Sequence, residues 1–105
     1  MQPFTAMVIS IIHSIPPGKV MTYGQVAREA GSPRAARQVV RILHSSSEKH
    51  GLPWHRVVNV RGEIALQDDE SRFLQKMYLE HEGVQVHEDG HIDLKVYQYI
   101  PSHTG

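Results

Sequence analysis

The stretch Lys19–Arg41 reads KVMTYGQVAREAGSPRAARQVVR, and its reading decides the fold. Thr22 precedes Gln25 by three residues, the spacing of a capping box, in which the hydroxyl and the amide each satisfy one free backbone N–H. A short helix is predicted to follow and run to Ala30. Gly31 suits the position just past a helix end, where a left-handed backbone is cheap. Ser32 is read as the cap of the next helix, with Pro33 at its first position. That helix carries Ala35, Ala36, Val39, Val40 and Leu43 as an apolar stripe, with Arg34, Arg37 and Arg41 partly outward. Two short helices joined by a tight turn make a helix-turn-helix. Small residues open the second helix, so its N-terminal end can approach DNA closely. Its unpaired amides favour a phosphate there. The same pattern occurs in domains that never meet DNA, so by itself it leaves both readings open.

Working outward, Phe4, Val8, Ile11 and Ile12 recur at helical spacing and predict a helix over Thr5–Ser14, ended by Pro16, Pro17 and Gly18. Downstream, His44–Leu52 reads as a polar loop. Arg56–Val60 and Glu63–Leu66 read as short strands around a turn at Arg61-Gly62, together a wing. Asp68 is placed to cap a further helix with Asp69 and Glu70 in its first turn, where the helix dipole favours them. Phe73, Leu74, Met77, Tyr78 and His81 follow at helical spacing, and Gly83 ends that helix. Val84–Val86 and Ile92–Val96 flank a polar turn at His87–His91, a hairpin pattern, before a frayed tail from Pro101 to Gly105. The predicted fold class is α+β: a small winged helix-turn-helix-like domain, mostly helical with short strands. One domain is expected over residues 1–105, with 84–105 as a C-terminal hairpin extension and tail.

A chain of 105 residues suits one modest core. It contains no cysteine, which excludes disulfides, thiolate metal ligands and a thiol nucleophile within these residues. The formal net charge is zero, but it is unevenly spread. Lys19–Arg56 holds seven basic and two acidic residues, a net of +5, and the remainder carries −5. Such polarity orients a domain on a polyanion, and it is also what ordinary charge segregation produces. No stretch approaches the roughly 20 apolar residues of a membrane span, and no secretory signal opens the chain. A cytoplasmic protein with no membrane partner is expected. The eight histidines invite a metal reading, and His87 and His91 lie four apart beside Glu88, Asp89 and Asp93. Asp89-Gly90 argues for a turn there, no ordered set of three or four ligands emerges, and no metal is expected. No phosphate-loop pattern exists, and no cofactor is expected.

Two further motifs, PWHRVV at Pro53–Val58 and HEG at His81–Gly83, join the first stretch. Together they resemble the DNA-binding domain of the O6-alkylguanine-DNA alkyltransferases, and within it the alkyltransferase-like proteins. The resemblance covers roughly Phe4 to Gly83. In the repair enzymes the PCHRV motif holds the cysteine that accepts the alkyl group; here Trp54 stands at that position. Alkyl transfer from guanine O6 needs a soft, activated nucleophile, and an indole is no substitute for a thiolate at neutral pH. What survives is binding without catalysis.

The resemblance implies roles. Tyr23 would sit against the phosphate beside the lesion and help rotate the nucleotide outward. Arg37 would fill the vacated stack and pair with the orphaned cytosine, offsetting part of the unstacking cost. The second helix would lie at the minor groove, with Ser32, Arg34, Ala35, Ala36 and Arg41 completing the DNA contact. Pro53, Trp54, His55, Val57 and Gln67 would form the lesion pocket, with the loop at Leu66–Asp68 closing over the base. A lone tryptophan is ordinarily core; the intact PWHRVV makes Trp54 a pocket wall. Ser46, Arg56 and Glu82 would form a supporting network. In it Ser46 ties the recognition helix to the pocket loop, Arg56 holds backbone carbonyls, and Glu82 is linked through water to His55. The implied partners are duplex DNA containing O6-alkylguanine and a damage-recognition ATPase of nucleotide excision repair.

Three rivals stand beside this reading. A winged-helix transcription regulator would need variable polar residues on the recognition helix for base-edge readout, which Ala35-Ala36 weakens. A glycosylase would use His55 and Glu82 as an acid–base pair. An interaction module would have kept the fold and lost DNA binding.

Overall fold

The computed structural model describes residues 2–101. Helix α1 spans Pro3–His13, with proline at its start and Val8, Ile9 and Ile12 buried. The two-residue strand β1 (Met21–Thr22) leads directly into α2 (Tyr23–Glu29). Thr22 accepts from the Gln25 N–H at 3.0 Å and its own N–H donates to the Gln25 carboxamide at 3.3 Å, the reciprocal pair expected from the sequence. Helix α3 spans Ala36–His50, a three-residue 3-10 turn Trp54–Arg56, strand β2 Val57–Val58, α4 Asp69–His81, and the single turn α5 Leu94–Tyr97.

The α+β class holds, but several elements differ from the sequence reading. Ser32 does not cap α3. Its carbonyl accepts from the Ala35 N–H at 2.9 Å, so Ser32–Ala35 forms a turn and the helix starts at Ala36 with no side-chain cap. His44–Leu52 is not a loop, because α3 continues to His50. The hydroxyls of Ser45 and Ser47 donate back to the carbonyls of Arg41 and Leu43, so these serines satisfy themselves within the helix instead of breaking it. Val39 and Ile42 face the core while Val40 is 37% exposed, so the buried stripe is rotated from the predicted one.

The wing is built differently too. Strand β2 pairs in parallel with β1, Met21 opposite Val57 and Thr22 opposite Val58, instead of with Glu63–Leu66. Asn59 makes the expected turn by accepting from the N–H groups of Arg61 and Glu63 through its side chain. The chain after it then meets the C-terminal segment. Ile64 N–H donates to Gly90, and Ile92 N–H donates to Gly62, around a bridge between Glu63 and His91. The turn at His87–His91 forms, with the His87 N–H donating to His91, but Ile92–Val96 is no strand: Asp93 caps the single turn α5. Of the tail, residues 102–105 lie outside the described residues.

Two apolar clusters result. One joins α1, α2, α3 and β1 through Val8, Ile12, Ile15, Met21, Val26, Ala27 and Val39. The other joins β2, α4 and the C-terminal segment through Val20, Val58, Leu79, Val84, Val86 and Ile92. Each fully buried aliphatic side chain contributes about 1.5–3 kcal/mol. The adjacent residues Val20-Met21 and Val57-Val58 feed one side chain into each cluster, which is how two minimal strands tie the helical pair to the rest. Within α4 the buried residues are Gln75 and Leu79, whereas Phe73 of the predicted apolar set is largely exposed and Met77 and Tyr78 are partly so.

Candidate nucleic-acid interface

Tyr23, the first residue of α2, is half-buried against the first cluster. Burial raises the pKa of its phenol above 10, so the hydroxyl stays protonated and remains a donor. Beyond the Ser32–Ala35 turn, α3 starts without a side-chain cap. A helix start leaves backbone N–H groups without helical partners, and the helix dipole adds partial positive charge at this end. Ser32, Pro33, Arg34, Ala35, Arg37 and Gln38 line a groove of about 480 Å³ at this end. Arg34, Arg37 and Arg41 are all exposed, and Ala35 and Ala36 keep the surface low between them. Gln38 belongs to this groove although the sequence reading passed over it.

The PWHRVV stretch is held from both sides. Gly51 ends α3 in a left-handed conformation, and the Leu52 N–H donates to Ser47 at 2.9 Å. Leu52 itself is buried and anchors the exit. The Trp54 N–H donates to the Leu52 carbonyl at 2.8 Å across Pro53, and the Arg56 N–H donates to the Pro53 carbonyl at 3.0 Å, which closes the 3-10 turn. From α4, the buried Gln75 donates to the carbonyls of His55 and Val57 at 3.1 and 3.0 Å, pinning the motif's backbone. The rings of Trp54, His55 and Tyr78 meet edge to face, with centroids 5.4 to 6.2 Å apart. They open onto a cleft of about 510 Å³ lined also by His13, Gly51, Leu52, Pro53 and Arg56.

Beneath the motif, Glu82 collects donors from three residues in two parts of the chain. Arg56 gives Nη2 at 2.7 Å and Nε at 3.1 and 3.2 Å, His55 gives Nε2 at 2.8 Å, and the Gly18 N–H reaches it at 3.0 Å. Burial alone would push the Glu82 carboxyl up. The hydrogen bonds from Arg56, Gly18 and His55, with the imidazole's charge, outweigh it and hold the pKa lowered from 4.5 to about 2. Arg56 also donates to the Ile15 carbonyl at 2.9 Å, joining the exit of α1 to this hub. Gly18 sits at φ +84°, and a Cβ there would lie 3.2 Å from the Glu82 carbonyl oxygen, so only glycine fits without strain.

Of the expected pocket residues, Pro53, Trp54 and His55 line the cleft. Val57 does not: it is fully buried in the first core cluster, because the alternation of β2 turns it inward. Gln67 is exposed and lines neither the cleft nor the groove. The Ser46 hydroxyl faces Ser45 at 3.4 Å, so the expected tie from helix to pocket loop is instead the backbone bond from Leu52 to Ser47. Arg56 and Glu82 pair with each other, but the carbonyl that Arg56 holds is Ile15 at the exit of α1 and not one of the pocket loop, and Glu82 meets His55 directly instead of through water. Tyr78, His13 and Gln75 were missed. Tyr78 lay in the predicted apolar face of α4, and only its phenol distinguishes it there. Among the described residues, no three histidine or acidic side chains gather closely enough to hold a metal ion, and no helix is long and apolar enough to cross a membrane.

The model of the 6-O-methylguanine DNA methyltransferase DNA-binding domain matches residues 3–84. A DNA base-flipping protein of Vibrio parahaemolyticus is 44% identical over 102 residues, covering 96% of this chain and all of that protein. Alkyltransferase-like protein 1 of Schizosaccharomyces pombe is 42% identical over 106 residues, covering 95% of each. Among solved structures, S. pombe Atl1 in complex with damaged DNA containing O6-carboxymethylguanine superimposes with a TM-score of 0.87 at 37% identity, covering 96% of this chain and 98% of that one. The chain therefore belongs to the family of the 6-O-methylguanine DNA methyltransferase DNA-binding domain, among its alkyltransferase-like members.

Proposed function

We propose that this protein is a non-enzymatic sensor of O6-alkylguanine in duplex DNA. It binds from the minor groove, turns the damaged nucleotide into the cleft at Trp54, and leaves the lesion chemically intact. The observation that carries this reading is Trp54. It lines the cleft at the position where the related enzymes hold their alkyl acceptor, in a sequence with no cysteine. An indole wall packs well against an alkylated purine and accepts no alkyl group.

The rest of the site supports the same reading. The uncapped start of α3 and the exposed arginines suit phosphates and a widened groove. Tyr23, protonated and packed against the first cluster, suits the phosphate beside the lesion, and Arg37 suits the vacated stack. Arg34, Arg41, Ser32, Ala35 and Ala36 supply the surrounding contact. A glycosylase reading is disfavoured because Glu82 is ionised, low in pKa and engaged by Arg56, His55 and Gly18, which makes it a poor general base or acid at neutral pH. A sensor without chemistry needs a downstream system. We assign that role to nucleotide excision repair, with a damage-recognition ATPase drawn to the altered DNA.

Flipping is testable directly. A duplex carrying a fluorescent adenine analogue next to O6-methylguanine brightens as stacking is lost. Wild-type protein is expected to raise this signal, and Tyr23→Ala and Arg37→Ala to lose most of it. A full signal from both variants would overturn the roles given to these residues.

A further inference from the structure

The family match ends at residue 84, yet the segment beyond it reaches back to the start of α2. Val20 is held by the peptides on both sides of its Cα: its N–H donates to the Tyr97 carbonyl at 2.9 Å, and its carbonyl accepts from the Tyr99 N–H at 2.7 Å. This is a parallel bridge between Val20 and Gln98, next to the β1–β2 pair. The same segment then holds both ends of the Gln25 carboxamide. Its Nε2 donates to the Tyr99 carbonyl at 2.6 Å, and its Oε1 accepts from the Gln98 side chain at 2.9 Å as well as from Thr22. Gln25 is 4% exposed, so these partners replace the water that would otherwise serve its amide.

A capping box normally needs no outside help, and an exposed one frays. Here the glutamine that closes the box is oriented by two residues more than seventy positions away. Between β1 and that glutamine lie only Tyr23 and Gly24. We infer that Gln98 is a positioning residue: by fixing the Gln25 carboxamide it fixes the first turn of α2, and so the place from which Tyr23 meets the phosphate of a flipped nucleotide. The inference rests on the role proposed above for Tyr23. It makes the C-terminal segment part of the lesion-recognition apparatus.

The test pairs Gln98→Met, which keeps volume and removes the donor, with Gln98→Lys, which restores one. For each, affinity is measured for matched duplexes with guanine or O6-methylguanine, alongside the melting temperature. Gln98→Met is expected to lower the preference for the lesion about two- to tenfold, the worth of one partly buried hydrogen bond. Its affinity for undamaged DNA should stay unchanged, and Gln98→Lys should recover the preference. An unchanged preference in Gln98→Met overturns the inference. So does a parallel loss on both duplexes that follows the melting temperature, since that is a merely structural effect. Tyr23→Ala is the control: if it too keeps full preference, the failure lies in the role given to Tyr23 and not in the clamp.

Discussion

Replacing Glu82 by glutamine isolates the hub that holds the PWHRVV motif. The side chains of Glu82, Arg56 and His55 are only 14, 15 and 13% exposed, so water replaces little of what is lost. Glutamine keeps the shape but removes the charge and turns an NH2 group toward donors on one side. Whichever way the amide faces, at least one charge-assisted bond from Arg56, His55 or Gly18 is lost, and Arg56 is left without its counter-charge. Bonds to charged groups are worth about 1.5–3 kcal/mol each, and breaking a buried pair from one side costs about 3–5 kcal/mol. With the residual exposure allowed for, a loss of about 2–4 kcal/mol is expected at pH 7, or roughly 10–25 °C in melting temperature for a domain of this size. Acid provides a second reading. Because the folded-state pKa of Glu82 is lowered from 4.5 to about 2, its contribution is complete above about pH 5 and is lost as pH falls toward 2. Glu82→Gln therefore lacks that part of the wild-type acid slope, and the stability gap between the two proteins narrows on acidification. Asp68, also lowered by its bonds to Ser71, titrates alike in both and cancels. Urea unfolding between pH 7 and 3 measures both effects. A gap below about 0.5 kcal/mol at pH 7, or one that does not narrow with acid, would refute the reasoning.

Other outcomes follow from the same structure. Gly62→Ala places a Cβ 2.5 Å from the Ile92 carbonyl and 2.9 Å from Leu94 at φ +76°, so a loss of about 2–4 kcal/mol is expected in thermal unfolding, and wild-type melting would contradict it. Gln75→Leu strands the carbonyls of His55 and Val57 and is expected to cost about 1–3 kcal/mol; hydrogen exchange at the motif should accelerate, and unchanged protection there would count against the pinning role. Trp54→Ala removes the aromatic wall and is expected to lower lesion affinity about tenfold while sparing undamaged DNA; equal affinities for the lesion in variant and wild type would place the damaged base elsewhere.

What could be seen in the sequence was local or carried by a motif. The Thr22–Gln25 box, the break at Pro16-Pro17-Gly18 and the Asp68 cap each depend on neighbours within a few residues, and each appears in the structure. Ser32 misled because a good capping residue was taken by a turn, and Ser45–Ser47 misled because their hydroxyls bond within the helix. The parallel β1–β2 pair joins residues 36 apart, and two residues per strand leave no periodicity to read. Val57 fell on the wrong side for the same reason: in so short a strand, one step changes the face. Gln75 and Tyr78 take their roles from what α4 packs against, which helical spacing does not reveal. The Gln25–Gln98 contact lay wholly outside any local signal.

The most direct measurement is a titration against two matched duplexes, one with a single O6-methylguanine opposite cytosine and one with guanine, followed by the mass of DNA and protein. The account requires tighter binding to the lesion with both masses unchanged. Equal affinity for the two duplexes, or a methyl group gained by the protein or lost from the DNA, would contradict it.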